Sequence, residues 1–480
     1  MKKTSLILSL CLAATGLQAQ VVKVHVGEIT YVHSAADAGD MTFTGGTQLT
    51  VQGKTYRLTD VSSVEVGPGS VTANTVSVDY EGASARVTVS GDLAAHVTAT
   101  ATGADVSIIA DSTYTGEIIY TLTGTSTDGS FYMDGDAKAR LVLDVLTLTN
   151  KDGGAITIDN GKRIAVDLAG NSTLTDGPGS QRACFFINGH TEINGNGKLT
   201  INGNARHGFF SDEYAVVNGG TIVVTSAPSD GMHVNQYFRL NKGDITIKAT
   251  GDGLDVGKKN KITEGDNGMI FINGGSLNIT ATGEGSKGIK ADSTVTITGG
   301  QVASTVTGSA FYDTTKADIS SCAALKPGGV LTISGGTVTA TATGAGGKAI
   351  NADHDIVVTA GTVTALSYGE LYSTTTDDTK PHAIKSDGNI TIDGGEVYAA
   401  AASDDGRAIS TDFNFLINGG TVMGIGGKKC EPTGGRQGYK SYKGVNVRAG
   451  QTVSYDGVSY AVPSDFSHSG ARVLVSKAGM

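Results

Sequence analysis

The chain has 480 residues and a formal net charge of −10 at pH 7, from 46 acidic and 36 basic side chains. This acidity argues against binding to nucleic acid or to an anionic membrane surface, because both are themselves negatively charged. Most of the charge is equally consistent with a merely solvated surface.

The first 19 residues have the pattern of a secretory leader. Lys2 and Lys3 form a basic start, residues 6–14 are mainly apolar, and Ala19 ends a suitable cleavage site. The apolar part is too short to span a membrane, and no later stretch predicts a span. We therefore expect an exported protein that is found outside the cell, on its surface or in the periplasm.

Three cysteines, Cys184, Cys322 and Cys430, remain after the leader. An odd number in an exported chain predicts no disulfide framework. We expect them to be small buried residues.

Residues 20–70 predict a small, separate β element. Leu49 to Leu58 alternates around a Gln52-Gly53-Lys54 turn, which indicates a hairpin. The element is too small to bury much core by itself. We expect it either to pack on the N-terminal end of the following repeats or to hang loosely from them.

Residues 71–426 are predicted to be a repeat of short strands, regular from about residue 205. A pair of glycines, or a residue in the same slot, recurs at a base spacing of about 24 residues with occasional insertions. The first members of these pairs are Gly219, Lys242, Gly274, Gly299, Gly335, Ala360, Gly394 and Gly419. An apolar residue, called the anchor here, precedes each pair: Phe209, Met232, Leu254, Ile289, Leu325, Ile350, Ile384 and Ile409.

Alternating strands and glycine turns at this period predict an all-β solenoid, a right-handed parallel β-helix with buried anchors. The right hand is expected because about 98% of parallel crossovers have it. The glycine pairs supply turn conformations that β-branched residues cannot adopt. Residues 427–480, with a possible hairpin around Tyr455-Asp456-Gly457, predict a cap over the last repeat.

Three acids, Asp230, Asp252 and Asp255, gather at two adjacent repeats. Asp230 and Asp252 hold the same slot, so we expect them ~4.8 Å apart. Two bare carboxylates at that distance repel by about 1–3 kcal/mol, and a Ca²⁺ ion between them would have oxygen ligands at ~2.4 Å. The acids therefore predict a calcium site. The alternative is that each aspartate caps its own turn.

Lys290 lies one repeat past Asp252, in a column that also contains Lys326 and Lys385. A neighbouring Ca²⁺ ion would lower the pKa of Lys290, and a neutral amine can act as a general base. Lys290 is thus the candidate catalytic base. The alternative is an ordinary exposed lysine.

Two insertions, residues 309–320 and 367–379, are expected at the same corner of the repeat, two repeats apart. They contain Tyr312, Tyr368 and Tyr372. Exposed aromatic side chains beside a flat sheet can stack on sugar rings, so these residues are predicted to bind glycan. Equally, they could pack on each other over the repeats.

Several motifs together resemble one known family. The run ARLVLDVLTLTN from residue 139 to 150, with Gly154-Ala155-Ile156-Thr157-Ile158 and residues 171–177, resembles the exported carbohydrate-binding-domain β-helix family. This resemblance covers residues 75 to 425. It implies binding of acidic plant polysaccharide and cellulose, and a fold similar to the calcium-dependent family 9 pectate lyases.

Within that resemblance, the segments around Asp230, Asp252-Gly253-Leu254-Asp255 and Lys290 look like the calcium and catalytic-lysine repeats of the lyase group. The lyase pattern has a further acid where this chain has Gly251. The missing acid removes one expected ligand.

These observations support three hypotheses. The first is an exported, non-catalytic polysaccharide-binding protein supported by calcium. The second is a calcium-dependent lyase that cleaves acidic glycans by β-elimination, and the third is a structural or adhesive β-helix. Glycan binding with and without chelator separates the first from the third, and unsaturated uronate product identifies the second.

Overall fold

The computed structural model describes residues 20–39 and 41–480. The predicted leader, residues 1–19, lies outside the described residues. The two described ranges contain strands and turns but no helix, so no helix in them is long and apolar enough to cross a membrane. The all-β part of the fold prediction is confirmed.

The N-terminal strands join the repeats through a shared core. They are Gln20–Val26, Ile29–Ser34, Thr42–Thr44, Gln48–Val51, Lys54–Arg57, Val61–Pro68, Thr75–Glu81 and Ser84–Ser90. Strand Ile29–Ser34 pairs in parallel with Ser84–Ser90, and Leu49 belongs to the same apolar cluster as the anchors. The element therefore packs on the repeats; its boundary at residue 70 stays a prediction.

The predicted hairpin in this element is confirmed. Strand Gln48–Val51 pairs antiparallel with Lys54–Arg57. The two turn residues between them, Gln52 and Gly53, have φ values of 45° and 82°, as a tight two-residue hairpin turn requires.

Three ladders of strands run along the repeats, and successive repeats pair in parallel. Ladder one is a sheet of thirteen strands, whose first two pair antiparallel. Its strands are Val97–Thr102, Ala104–Ala110, Gly129–Asp134, Ile156–Asp159, Ala183–Ile187, His207–Ser211, Met232–Asn235, Leu254–Gly257, Lys287–Ala291, Ala323–Pro327, Lys348–Ala352, Ile384–Ser386 and Ile409–Thr411.

Ladders two and three belong to one larger sheet. Ladder two continues from Thr75–Glu81 through Ile118–Ser126, Ala139–Thr149, Arg163–Leu168, His190–Gly195, Ala215–Val217, Tyr237–Leu240, Met269–Ile272, Val295–Ile297, Leu331–Ala342, Ile356–Ser367, Ile390–Ile392 and Phe415–Ile417. Ladder three shares the three longest of these strands and adds Ser172–Thr175, Lys198–Asn202, Thr221–Ser226, Asp244–Ala249, Ser276–Ala281, Gln301–Val306, Glu396–Ala401 and Thr421–Gly426.

The anchors form one column in ladder one. Each is paired in register with the anchor of the next repeat, from Phe209 to Ile409. All eight are buried, with at most 4% of their surface exposed. The predicted frame and its buried anchors are therefore confirmed.

The glycine pairs turn the chain between ladders two and three. The second glycine of every pair has a positive φ, between 70° and 106° from Gly220 to Gly420. Side chains rarely adopt that conformation, whereas glycine does so readily. This explains why the first slot tolerates Lys242 and Ala360 but the second is always glycine.

The C-terminal strands are Lys440–Val447, Thr452–Tyr455, Val458–Ala461 and His468–Ser476. The last of them pairs antiparallel with Thr421–Gly426, the final strand of ladder three. This pairing covers an edge that would otherwise be open to association. The predicted hairpin at Asp456-Gly457 is confirmed, and the boundary at residue 426 stays a prediction.

The three described cysteines are free thiols. Cys184 and Cys322 are buried, as predicted, whereas Cys430 is partly exposed.

A row of asparagine side chains links the repeats at the corner after ladder two. Asn218 Nδ2 donates to Asn194 Oδ1 at 3.1 Å, and Asn241 Nδ2 donates to Asn218 Oδ1 at 2.9 Å. Asn273 Nδ2 then donates to Asn241 Oδ1 at 2.9 Å. The row bonds each repeat to the next through side chains as well as backbone.

We expect Asn241→Ala to lower the free energy of unfolding by about 1 kcal/mol, because it removes two such hydrogen bonds from an exposed site. Chemical denaturation measures the change. Asn278→Ala is the control, because Asn278 is exposed and its side chain makes no hydrogen bond to the described residues. Equal effects of the two variants would contradict a role for the row.

Candidate functional site

Two columns of side chains meet on the outer face of ladder one. The following column comes one residue after the anchors, and parallel pairing stacks its members Phe210, His233, Asp255, Lys290 and Lys326. The preceding column comes two residues before the anchors and contains His207, Asp230, Asp252, Lys287, Ala323, Lys348, His382 and Arg407. In the repeats of Asp230 and Asp252 a bend at Gly231 and Gly253 separates the two slots. The contacts of His233 with Asp230 and of Lys290 with Asp252 bring both columns to the same face.

The two columns form a charged cluster, defined here as Asp230, His233, Asp252, Asp255 and Lys290. His233 Nδ1 lies 3.1 Å from both Asp230 Oδ2 and Asp255 Oδ2. Lys290 Nζ lies 2.8 Å from Asp255 Oδ1 and 3.6 Å from Asp252 Oδ2. The structure thus brings the three predicted acids and Lys290 together, with basic side chains between the acids.

Two of the acids also cap the backbone of the next repeat. Asp230 Oδ1 accepts the N–H of Asp252 at 3.0 Å, and Asp252 Oδ1 accepts the N–H of Lys287 at 2.7 Å. The sequence alternative was a cap on each residue's own turn, whereas these caps bridge adjacent repeats. Each of these two carboxylates therefore keeps one oxygen for the charged cluster.

Burial and mutual charge shift the protonation of the charged cluster. Burial, with the neighbouring charge of Asp230, raises the pKa of Asp252 to about 6. Burial opposes the charge of His233, but its hydrogen bonds to Asp230 and Asp255 outweigh this and raise its pKa to about 9. Burial likewise opposes the charge of Lys290, yet Asp255 and Asp252 raise its pKa above the ordinary value.

The raised pKa of Lys290 bears on its predicted role as a base. A general base must be neutral when it takes a proton, and the two carboxylates hold Lys290 as an ammonium. Only a cation that neutralised Asp252 and Asp255 would reverse this. The catalytic role of Lys290 therefore stays a prediction that depends on a bound cation.

Calcium fits the charged cluster poorly in the described arrangement. Ca²⁺ takes six to eight oxygen ligands. Here Asp230 and Asp252 each use one oxygen on a backbone amide, and nitrogen atoms of His233 and Lys290 lie between the remaining carboxylate oxygens. Both side chains would have to withdraw before an all-oxygen shell could form.

The three predicted glycan-binding tyrosines have different surroundings. Tyr312 is 38% exposed, on a hairpin of strands Phe311–Asp313 and Asp318–Ser320. Tyr372 is partly buried in a second hairpin, Tyr372–Ser373 with Asp378–Thr379. The Tyr368 hydroxyl donates to Asp465 Oδ1 at 2.8 Å, and its ring packs edge-on against Phe466. Tyr368 thus contacts the C-terminal segment.

The bases of the two insertions meet over a buried lysine. Ser321 Oγ lies 3.1 Å from Thr379 Oγ1, which agrees with the prediction of one shared corner. Lys348 Nζ donates to both hydroxyls, at 2.9 and 2.7 Å, and only 7% of Lys348 is exposed. Sequence reasoning missed Lys348 and His207, although seven of the eight slots in the preceding column hold titratable residues.

These features define an all-β protein of stacked parallel repeats with a charged cluster on one outer face. A family model described as carbohydrate-binding domain-containing protein matches residues 102–367 and 328–430. These matches span more than half of the chain, so the protein belongs to this family. The resemblance found in the sequence is confirmed.

One individual protein and one solved structure are similar to parts of this chain. A carbohydrate-binding domain-containing protein of Acetivibrio thermocellus is 30% identical over 119 residues, 22% of this chain. The alignment spans 42% of that relative's length. A solved structure of a polysaccharide lyase-like protein from C. thermocellum, a gadolinium derivative, is 21% identical with a TM-score of 0.37, covering 60% of this chain and 93% of that one. The architecture of stacked parallel repeats is therefore inferred from the pairing of the strands and not from this similarity.

Proposed function

We propose that the protein binds polysaccharide without cleaving it, on the outer face of ladder one. The observation that carries this proposal is the pair of stacked columns on that face, in a member of the carbohydrate-binding domain family. Side chains that recur at the ~4.8 Å strand spacing suit a polymer whose polar groups also recur. The exposed Tyr312 beside this face offers a ring for stacking.

An acidic glycan is the proposed ligand class. A cavity of about 320 Å³ beside the charged cluster is lined by four lysines, Lys287, Lys290, Lys316 and Lys326, and by two acids, Asp313 and Asp318, with serine and asparagine side chains between them. The lysines outnumber the acids, so the lining carries a net positive charge. The Lys287 ammonium is bonded to neutral oxygens, those of Gly285 and Ser320. A glycan carboxylate would supply the charge that these neutral partners lack.

The finer fold is part of the proposal. We infer that the three ladders close into a right-handed parallel β-helix, supported by parallel pairing between successive repeats and the strong preference of crossovers for the right hand. Export through the predicted leader would place the binding face outside the cell.

Calcium support and lyase activity remain separate predictions. Calcium at Asp230, Asp252 and Asp255 requires His233 and Lys290 to leave those carboxylates, and catalysis by Lys290 requires such a cation. The structural features favour binding over cleavage, because Lys290 is held protonated.

The test is binding of the full chain to an array of neutral and acidic glycans, with and without chelator. We expect Lys287→Ala and Tyr312→Ala each to weaken binding of the best acidic glycan about tenfold, which corresponds to about 1.4 kcal/mol. Lys198→Ala is the control, since Lys198 is exposed at the start of a strand of ladder three.

An equal loss of glycan affinity in Lys287→Ala, Tyr312→Ala and Lys198→Ala contradicts the proposal. Binding of the unmodified chain to none of the glycans contradicts it as well. Absorbance of unsaturated uronate, measured with pectate as substrate, separates binding from cleavage. Product formed by the unmodified protein and abolished by Lys290→Ala would establish the lyase instead.

A further inference from the structure

We propose that His207, Asp230 and His233 bind a borderline divalent metal cation, of the class of Zn²⁺ or Co²⁺, with Asp255 as a fourth ligand. One ligand atom of each of the first three lies within 4.8 Å of the others. Asp230 Oδ2 is 3.3 Å from His207 Nδ1 and 3.1 Å from His233 Nδ1. Ligands of a tetrahedral zinc, each ~2.0–2.1 Å from the metal, are ~3.3 Å apart, so these separations match the edges of such a site.

Hydrogen bonds orient His233 for metal binding. The Asp212 carboxylate accepts from Asn235 Nδ2 at 3.0 Å, which turns Asn235 Oδ1 toward His233 Nε2 at 3.1 Å. A carbonyl oxygen requires a donor, so neutral His233 has its proton on Nε2 and its lone pair on Nδ1. An outer partner of this kind is typical of metal-binding histidines.

His207 also presents an unprotonated Nδ1, although no described residue bonds its Nε2. Its Nδ1 accepts the backbone N–H of Asp230 at 3.3 Å, so this nitrogen also carries a lone pair toward Asp230. The long hydrogen bond is one that a metal contact can replace. The centres of the two imidazole rings lie 4.9 Å apart, and both Nδ1 atoms approach the same carboxylate oxygen, Asp230 Oδ2.

The backbone holds these ligands in place. Strands His207–Ser211, Met232–Asn235 and Leu254–Gly257 are paired in parallel, with Phe209 opposite Met232 and Met232 opposite Leu254. The side chains of His207 and Asp255 are each 9% exposed, and those of Asp230 and His233 15% and 19%. A rigid, largely buried set of ligands loses little entropy on binding and excludes competing water.

The charges and the donor atoms favour this class of cation over calcium. Once the metal has displaced the proton of His233, the three carboxylates and the Lys290 ammonium leave two negative charges to face the cation. Imidazole nitrogen is a ligand for zinc and similar metals, whereas Ca²⁺ takes oxygen. Lys290 already occupies the side of the cluster between Asp252 and Asp255. The space between His207, Asp230 and His233 therefore remains for the metal.

His382 provides a comparison within the same column. It is buried like His207, and its Nδ1 accepts the backbone N–H of Arg407 at 3.1 Å. The charges that act on it are cationic, from Lys348, Arg407, Lys385 and Lys380. The slot that holds a histidine in both repeats thus suits a metal only where carboxylates surround it.

The experiment is calorimetric titration of ZnCl₂, CoCl₂ and CaCl₂ into the untagged, chelator-treated chain, because a polyhistidine tag would bind the same metals. We expect one Zn²⁺ or Co²⁺ per chain, and visible absorption bands of Co²⁺ with nitrogen ligands. Asn235→Ala should weaken binding about 10–100-fold. His207→Gln and His233→Gln should each weaken it by more than about 100-fold, since they remove ligands rather than outer partners.

His382→Gln is the matched control and should bind Zn²⁺ as the unmodified chain does. Thermal melting checks that each variant is folded at the titration temperature. If His207→Gln is not folded there, His233→Gln tests the site by itself, because His233 is the more exposed of the two. The site is overturned by Ca²⁺ binding alone, by Zn²⁺ binding that persists in both ligand variants, or by an equal loss in His382→Gln. Because metal binding is measured without glycan, its failure is distinct from failure of the proposed function.

Discussion

Gly253→Ala is expected to lower the free energy of unfolding by about 3 kcal/mol and to disrupt the charged cluster. A Cβ atom at Gly253 would lie 2.2 Å from Ile279 Cγ2 and 2.6 Å from the backbone oxygen of Gly288. Added volume in a packed core costs about 1–3 kcal/mol, and a backbone atom cannot turn aside as a side chain can. Since Asp252 and Asp255 flank this glycine, their carboxylates would be displaced with it.

Thermal melting and glycan or metal binding together measure this effect. Gly161→Ala is the control, because a Cβ there would meet nothing within 4 Å. That variant should be neutral or slightly more stable, as alanine restricts the unfolded chain. If both variants melt at the same temperature, the repeats around Gly253 are not packed as closely as described.

The second large effect is expected at Lys348, as a stability that rises with pH. Burial and the charges of Lys326, Lys385 and Lys287 lower the pKa of Lys348 from 10.5 to about 8, although Asp387 favours the charged form. Its closest partners are the neutral hydroxyls of Ser321 and Thr379. This difference in pKa corresponds to about 3 kcal/mol.

The direction follows from proton binding. Between pH 8 and 10.5 the unfolded chain holds the Lys348 proton and the folded chain does not, so the free energy of unfolding rises with pH. Below pH 8 both states hold the proton, and this contribution is constant at its unfavourable value. The folded protein is therefore expected to gain up to about 3 kcal/mol from this group on going from pH 7 to pH 10.5.

Denaturant unfolding of the unmodified chain and of Lys348→Met, at intervals from pH 7 to 10.5, tests this expectation. The difference between the two stability curves should change by about 3 kcal/mol across this range, and the variant should lack that part of the rise. Lys380→Met is the control, because the Lys380 side chain is 48% exposed and pairs with Asp378. A constant difference between the curves would show that Lys348 is not buried as a cation.

The charged cluster shows how far the residues alone define a site. Identical slots in consecutive repeats placed Asp230 and Asp252 together, and the one-residue offset from the anchors placed Asp255 beside Lys290. Those relations follow from parallel pairing, which stacks equal positions. The same rule stacks His207 with Asp230 and His233 with Asp255, although the predicted site did not include the histidines. Only the contact of His233 with Asp230 was not predictable in this way, because it crosses the bend at Gly231, whose path the periodicity does not describe.

The tyrosines show the same division. The shared corner of the two insertions follows from their position in the repeat, and the contact between Ser321 and Thr379 agrees with it. Tyr368 instead bonds to Asp465, 97 residues away. A contact across that separation depends on how the C-terminal segment folds back, which no local pattern encodes.

The sequence by itself determined the all-β class, the repeat frame, the eight buried anchors and the two tight hairpins. Each of these depends on local conformation or on alternation with period two, which the order of residues carries directly. Only the tertiary structure decided which charges meet, which lysine is buried without a carboxylate, and which glycines have no room for a methyl group. These depend on distances between side chains of different repeats, and such distances are fixed only when the strands pack.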